Sequence, residues 1–404
     1  MRDHMRKKSR FLGMASLCIM LVLATASLTA FASDLHVIGD RNGDHAVSDD
    51  ELAREYQDHK NGTINSDEIL QIELMHDRYP IEVTDSAGNI VTIHKPLKRI
   101  VVLNGLVTEI MQILNATDVI IGMTMDLEKE PLISPALKSL PTTGKVVEPD
   151  LEAILRLNPD AVIHYASTMW HTDEIQRKLQ KVDPGLIVIR LDMFHPESHL
   201  VEVENLAKIL DKEAEARDYI DFYKEVMGEI QRATGDLSEE DKPRVYFEER
   251  SDFQTGSSES YFSQDTAIAG GRNVFAESAT LYPVVDQESV MMENPDVIIR
   301  TYSNSSSGGY ANDDTSMMEE LRESIINRHG SKNITAVKNN RVYILNANLI
   351  GGARHIIGIS YLAKILHPDL LADFDPEEVH QRYLDFVGFD YDLKEHRAFV
   401  VPKI

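Results

Sequence analysis

The chain has 404 residues, 43% of them hydrophobic and 26% charged, and carries a net charge of −25. This is enough chain and enough apolar content for a small module beside a body with two cores, and it excludes intrinsic disorder as the default state. So acidic a surface argues against nucleic acid or an anionic membrane as partner, and a single cysteine, Cys18, excludes an internal disulfide and a thiolate-held cluster.

Residues 1–32 read as a secretory signal. A basic stretch (Arg2, Arg6, Lys7, Lys8, Arg10) precedes an apolar run from Phe11 to Ala26 and a small-x-small site at Ala30-Phe31-Ala32. Cleavage before Ser33 is expected; a retained anchor is the alternative, although the apolar run is near the short end for a membrane span. Removal of five Lys/Arg and one Asp would take the charge to −29 and leave no thiol. Four Asn-x-Ser/Thr triplets, at Asn61, Asn115, Asn304 and Asn333, are compatible with export.

Residues 33–78 form a separate module, dense in Asp, Asn and Glu and without a strand-like run. Asp40, Asn42, Asp44, Ser48 and Glu51 stand at positions 1, 3, 5, 9 and 12 of a twelve-residue loop, with the Ala46 carbonyl at position 7. Calcium takes six to eight hard oxygen ligands, and this spacing supplies them. The stretch resembles the loops of dockerins and EF-hands, which implies bound calcium, with the module either a calcium-stapled cap on the N-terminus or a plug for a cohesin-like partner. His45 departs from that pattern by standing where a glycine normally turns the loop. A second copy is eroded: Gln57, His59, Asn61, Asn65 and Glu68 fill the same positions with one carboxylate among them.

From residue 79 to 404 the texture is that of an α/β body. IEVTDSAGNIVTI, from Ile81, reads as a β-hairpin. Arg99–Asn104, Val119–Met123, Asp160–Ala166 and Leu186–Asp192 are short β-branched runs separated by helical patterns, the signature of a parallel sheet with crossover helices in a first lobe over about 79–195. One long helix is expected over about 197–237, spanning roughly 50 Å at 1.5 Å per residue. A second lobe follows over about 243–404, with strands at Val245–Glu249, Asp296–Tyr302 and Arg341–Asn346 and a closing helix in GARHIIGISYLAKILHPD. Pro149–Ile163 aligns without a gap on Val285–Ile299, sharing Glu152 with Glu288 and Asn158-Pro159-Asp160 with Asn294-Pro295-Asp296. Each segment is a helix stopped by Asn-Pro and followed by a buried strand, so the two lobes look like copies of one architecture.

The order and spacing of the hairpin, KRIVVLN, the paired helix-NPD-strand segments, VYFEE with AGGRNVFAE, and the closing helix resemble the iron-siderophore and cobalamin class of ABC transporter substrate-binding proteins, over about residues 81–385. The resemblance implies two Rossmann-like lobes joined by one long helix, an iron-chelate or corrinoid ligand held between them, an ABC permease dimer as membrane partner, and an extracytoplasmic location. It also implies that Glu152 and Glu288 dock into the permease, one from each lobe.

In such a body the ligand lies outside the carboxyl ends of the strands. That nominates Asn104, Tyr165, Trp170 and His171 in the first lobe, and Glu249, Arg250, Tyr282 and Tyr302 in the second. Arg354 and His355, opening the last helix, are candidates to hold a negatively charged ligand, against the plain alternative of a salt bridge. Haem, with axial ligands drawn from Tyr165, His171, Tyr282 and His355, is a rival ligand. A metal ion held directly, His164 and His171 being the nearest candidates among fifteen scattered histidines, is another. A surface-attached enzyme is the rival class, although GxSxG, GxxxxGK[ST], HExxH and a strand-linked GxGxxG are all absent.

Overall fold

The computed structural model describes residues 35–249, 251–303, 308–396 and 398–404. The expected signal with Cys18, the candidate Arg250 and the triplet at Asn304 lie outside the described residues.

Two capped helices follow the acidic loop, α1 (Asp49–Lys60) and α2 (Ser66–Arg78). Ser48 with Glu51, and Asn65 with Glu68, make reciprocal capping boxes, so the residues at loop positions 9 and 12 also start the helices. Val37, Val47, Ile72 and Met75 join the core of the body, so the module is packed onto it. The hairpin forms as expected, β1 (Ile81–Thr84) pairing antiparallel with β2 (Ile90–Ile93).

The first lobe holds β3 (Ile100–Val102), the helix α3 (Gly105–Ile113), β4 (Ile120–Met123), α4 (Leu151–Arg156), β5 (Ala161–His164), α5 (Thr172–Val182) and β6 (Ile187–Arg190). Its parallel sheet runs β4-β3-β5-β6. Both faces of β3 and β5 are buried, as continuous apolar runs require when helices cover a sheet on both sides.

Helix α6 (His199–Leu210) and helix α7 (Glu213–Thr234) come next, and they correct the expectation of one helix over 197–237. The chain breaks at Asp211, which adopts φ 57°, a left-handed conformation that ends a helix without Gly or Pro. Arg78, the last residue of α2, holds the break by ion pairs to Asp211 at 3.1 Å and Glu213 at 2.9 Å and a bond to the Lys208 carbonyl at 2.8 Å. The connector is therefore α7, 22 residues long, or about 33 Å.

The second lobe contains β7 (Arg244–Glu248), α8 (Tyr261–Ile268), β8 (Arg272–Asn273), α9 (Gln287–Glu293), β9 (Val297–Tyr302), β10 (Val342–Asn346), α10 (His355–Leu366), α11 (Pro376–Val387) and β11 (Val400–Val401). Its sheet runs β8-β7-β9-β10-β11, parallel except for the β11 edge. Helix α11 returns to pack on α3, so the end of the chain clasps the first lobe. The lobes also meet where Gly352, at φ 62°, faces Leu106: a Cβ there would come 2.3 Å from the leucine side chain.

The internal repeat holds in atomic detail. Asp150 and Asp286 cap α4 and α9 through the amides of Ala153 and Ser289. Asn158 and Asn294 both turn left-handed, at φ 47° and 43°. Asp160 accepts from the Arg99 amide at 2.9 Å, just before β3, and Asp296 from the Arg244 amide at 2.9 Å, the first residue of β7, each pinning the start of the neighbouring strand.

Candidate functional site

In the first lobe, the loop after β5 carries an aromatic pair. Tyr165 and Trp170 stack with centroids 4.9 Å apart and planes at 25°. Burial, with Asp192 and Asp126 nearby, raises the Tyr165 phenol well above its ordinary value, so it stays neutral. The Trp170 indole N–H has no hydrogen-bond partner. Next to it, Met169 is 60% exposed. His171 is exposed at φ 55° and lines a surface hollow with Ala166, Asp173, Glu174 and Arg177. His164 is fully buried, its Nδ1 accepts from the Tyr165 amide at 2.7 Å, and burial pulls its pKa to about 4. Asn104, expected to face a ligand, is instead fully buried: its oxygen caps α3 and its amide bonds the Leu191 carbonyl at 2.5 Å. It ties two strand ends together beneath the site.

In the second lobe, Glu249 is buried at the end of β7 and accepts from the Tyr261 hydroxyl at 2.9 Å. Tyr282 is at the surface and Tyr302 is buried. Arg354 and His355 do not face a ligand. Arg354 is committed to Glu109 at 2.6 Å and Glu130 at 2.7 Å, the salt-bridge alternative. His355 is buried, bonding the Gly352 carbonyl through Nδ1 at 2.7 Å and the Tyr223 hydroxyl through Nε2 at 2.6 Å. These bonds fix its tautomer, and burial holds its pKa near 4. Of the haem candidates, His355 is thus spent.

Sequence reasoning missed the polar floor between the lobes. His199 lies 4.7 Å from His355 edge to face and reaches the Tyr219 hydroxyl at 2.8 Å. Asp265, in α8, is 1% exposed, and neither carboxylate oxygen has a hydrogen-bond partner. The adjacent Gln264 has an unpartnered carbonyl oxygen as well. Gln264, Glu197, Met227 and Gln231 line a groove of about 660 Å³ between the β6–α6 loop, the connector α7 and α8. No motif marks Asp265; the one signal was that it is the single charged residue of the helix Tyr261–Ile268. A second missed cluster closes the far side of the β7 end, where Arg328 grips both oxygens of the fully buried Glu248 at 2.6 and 2.8 Å and lies 4.4 Å from the Phe253 ring.

Glu152 and Glu288 both stand exposed in the first turns of the repeated helices α4 and α9. In the acidic loop, His45 takes φ 67°, supplying the left-handed turn that glycine usually provides. Asp40, Asn42 and Asp44 accept from amides of Gly43, His45, Asp44 and Ala46, and Glu51 from those of Arg41, Asn42 and Ser48. Those bonds lower the Glu51 pKa to about 2. Among the described residues no set of three or more His, Cys, Asp or Glu side chains converges as a metal site, and no helix is long and apolar enough to cross a membrane.

The sequence profile described as "Periplasmic binding protein" matches residues 100–349. An uncharacterised ABC transporter substrate-binding lipoprotein of Bacillus subtilis is 24% identical over 72% of this chain and 87% of its own length. The molybdate-binding protein MolA of Haemophilus influenzae is 22% identical over 79% of this chain and 92% of its own. The TroA-like periplasmic binding protein FepB of Veillonella parvula superposes with a TM-score of 0.67 at 23% identity, covering 78% of this chain and 98% of that one. The two α/β lobes, the connector between them and the profile match together place the chain in the periplasmic binding protein family, as a substrate-binding component of an ABC transporter.

Proposed function

We propose that the protein captures an iron chelate of siderophore type outside the cell and delivers it to an ABC permease dimer. The observation that carries this reading is the stacked Tyr165–Trp170 pair at the end of β5, an aromatic pair set beside the exposed Met169. A bulky chelate gains from such a wall by area. Molybdate, the ligand named for the Haemophilus relative, is a compact dianion and gains little from an aromatic wall. Corrinoids and haem share the scale of the wall and are the alternatives. Visible spectra and mass of whatever co-purifies from the native host test the reading: ferric-chelate bands support it, and corrinoid or haem bands replace it.

We also propose that Asp40, Asn42, Asp44, the Ala46 carbonyl, Ser48 and Glu51 hold calcium. The hard oxygen donors and the left-handed His45 support this. Binding would exchange the amide bonds now made by Glu51 for bonds to the ion.

A further inference from the structure

The repeat that equates the two lobes also shows where they part. Continued back four residues, the gapless alignment sets Lys145, Glu148 and Arg156 of the first lobe against Leu281, Val284 and Met292 of the second, around the shared Glu152 and Glu288. All eight side chains are exposed. In α4, Glu152 and Arg156 lie one turn apart on one face and pair at 3.8 Å. In α9, Met292 takes the place of that arginine, 85% exposed, on the face that shows Glu288. Val284, four residues before Glu288, is 72% exposed, and its segment is held in place: the amides of Thr255 and Ser257 bond the carbonyls of Pro283 and Leu281 at 2.9 Å, and the Val285 amide bonds the Phe253 carbonyl at 3.0 Å. Val285 packs on the second-lobe core, so the backbone that displays Val284 is anchored from below. Apolar side chains shown outward from a fixed backbone lose little freedom on binding. Scattered exposed hydrophobic residues need no explanation, but Leu281, Tyr282, Val284 and Met292 cluster within twelve residues around one exposed carboxylate.

From this exchange of charge for apolar surface we infer that the receptor docks asymmetrically: the second-lobe tip, Glu288 with Leu281, Val284 and Met292, seats in a permease surface that sets a cation among apolar side chains, while the first-lobe tip at Glu152 adds a charge contact alone. The inference rests on delivery to an ABC permease, proposed above, and goes beyond it by making the second lobe the main anchor. Arg156 competes with any outside cation for Glu152, which leaves the first tip less to offer. Other occupants suit the patch less well. Isologous pairing of two copies would set the same acidic tip against itself. An anionic lipid surface is opposed by a net charge of −25. The carboxylate asks for a cation and the apolar side chains for a packed protein face, and a permease can supply both.

The test uses the full chain, labelled at its terminal amine, and right-side-out membrane vesicles of the native host, which hold the permease. Leu281→Gln, Val284→Asn and Met292→Gln combined remove the apolar patch without adding charge, and should weaken saturable binding to the vesicles by about tenfold or more. The matching first-lobe change, Lys145→Gln with Glu148→Gln and Arg156→Gln, should leave binding within about twofold of wild type. Both variants should melt with wild type, since all six residues are exposed; Met292→Gln alone serves if the second-lobe triple change lowers the melting temperature. Equal losses from the two variants, or none from the second-lobe one, would overturn the asymmetry, and if Glu288→Lys still abolishes binding, delivery to the permease stands. A wild type without saturable binding overturns both. Two further outcomes also overturn the inference by reassigning the patch. Loss of the co-purifying ligand from the second-lobe variant would place it in the cleft, and a wild-type dimer in sedimentation that the variant breaks would make it a self-association surface.

Discussion

Arg354 and Glu109 are 245 residues apart in sequence and meet at 2.6 Å across the boundary between the lobes. Glu109 is 1% exposed and also accepts from the Tyr383 hydroxyl, while Glu130 accepts from the same Nη2 of Arg354 at 2.7 Å. Attraction to the two carboxylates outweighs burial and keeps Arg354 charged. Removing one partner of such a pair leaves an uncompensated buried charge, which costs about 3–5 kcal/mol. Arg354→Ala and Glu109→Ala should each lower the unfolding free energy, read from denaturant titration, by that order. The double change to Met and Leu should recover most of it.

The buried histidines set an acid limit on stability. Burial depresses His164 and His355 to about 4 and His380 to about 3, and puts His199 well below its ordinary value. Between about pH 6.5 and pH 4 the unfolded chain therefore takes up protons that the folded chain refuses, so stability is greatest above 6.5 and falls as pH drops. Each unit of depression is worth about 1.4 kcal/mol per group. Urea midpoints measured at pH 7 and pH 5 should differ by several tenths of a molar or more. Equal midpoints would mean that these rings are solvated.

Charge reversal at the repeated helices separates docking from capture. Glu152→Lys with Glu288→Lys should leave chelate affinity within twofold and abolish uptake by cells carrying the cognate permease, because both residues are exposed and outside the aromatic wall. A parallel fall in affinity would place them in the binding site instead.

Trp170 is the chain's one tryptophan, so its fluorescence reports on a single place. A ferric chelate against the Tyr165–Trp170 wall should quench it, and Trp170→Ala should weaken binding by about 1–3 kcal/mol. Chelate binding with unaltered emission would move the ligand elsewhere.

The acidic loop should bind about one calcium ion at up to millimolar concentration. Calorimetry on wild type and Glu51→Gln, with heat in the first and little in the second, is the expected result. No heat in either would leave the loop as a helix-starting turn.

Much of the fold was readable because it is local. The strands announce themselves as β-branched runs, and the Asn-Pro-Asp repeats encode a helix stop, a left-handed residue and a strand pin within three positions. The break at Asp211 was hidden because it uses neither Gly nor Pro, and its stabilising partner Arg78 lies far back in the chain. The aromatic wall was legible from Trp170 on a polar loop. Arg354 and Asp265 were not: one is assigned by a carboxylate 245 residues away, the other by the absence of any partner, and neither fact is written in a neighbouring residue.

Gly352 leaves no room for a methyl group against Leu106, and the return of α11 onto α3 closes the same seam from the other side. Lobes that meet this closely should move little around their cargo. A permease that measures the span between Glu152 and Glu288 would then find the same span on a loaded and on an empty receptor. Occupancy must be communicated by the cargo and the loops around it, and empty receptors should compete with loaded ones for the transporter. The ratio of receptor to permease at the membrane thereby becomes a control on the rate of uptake.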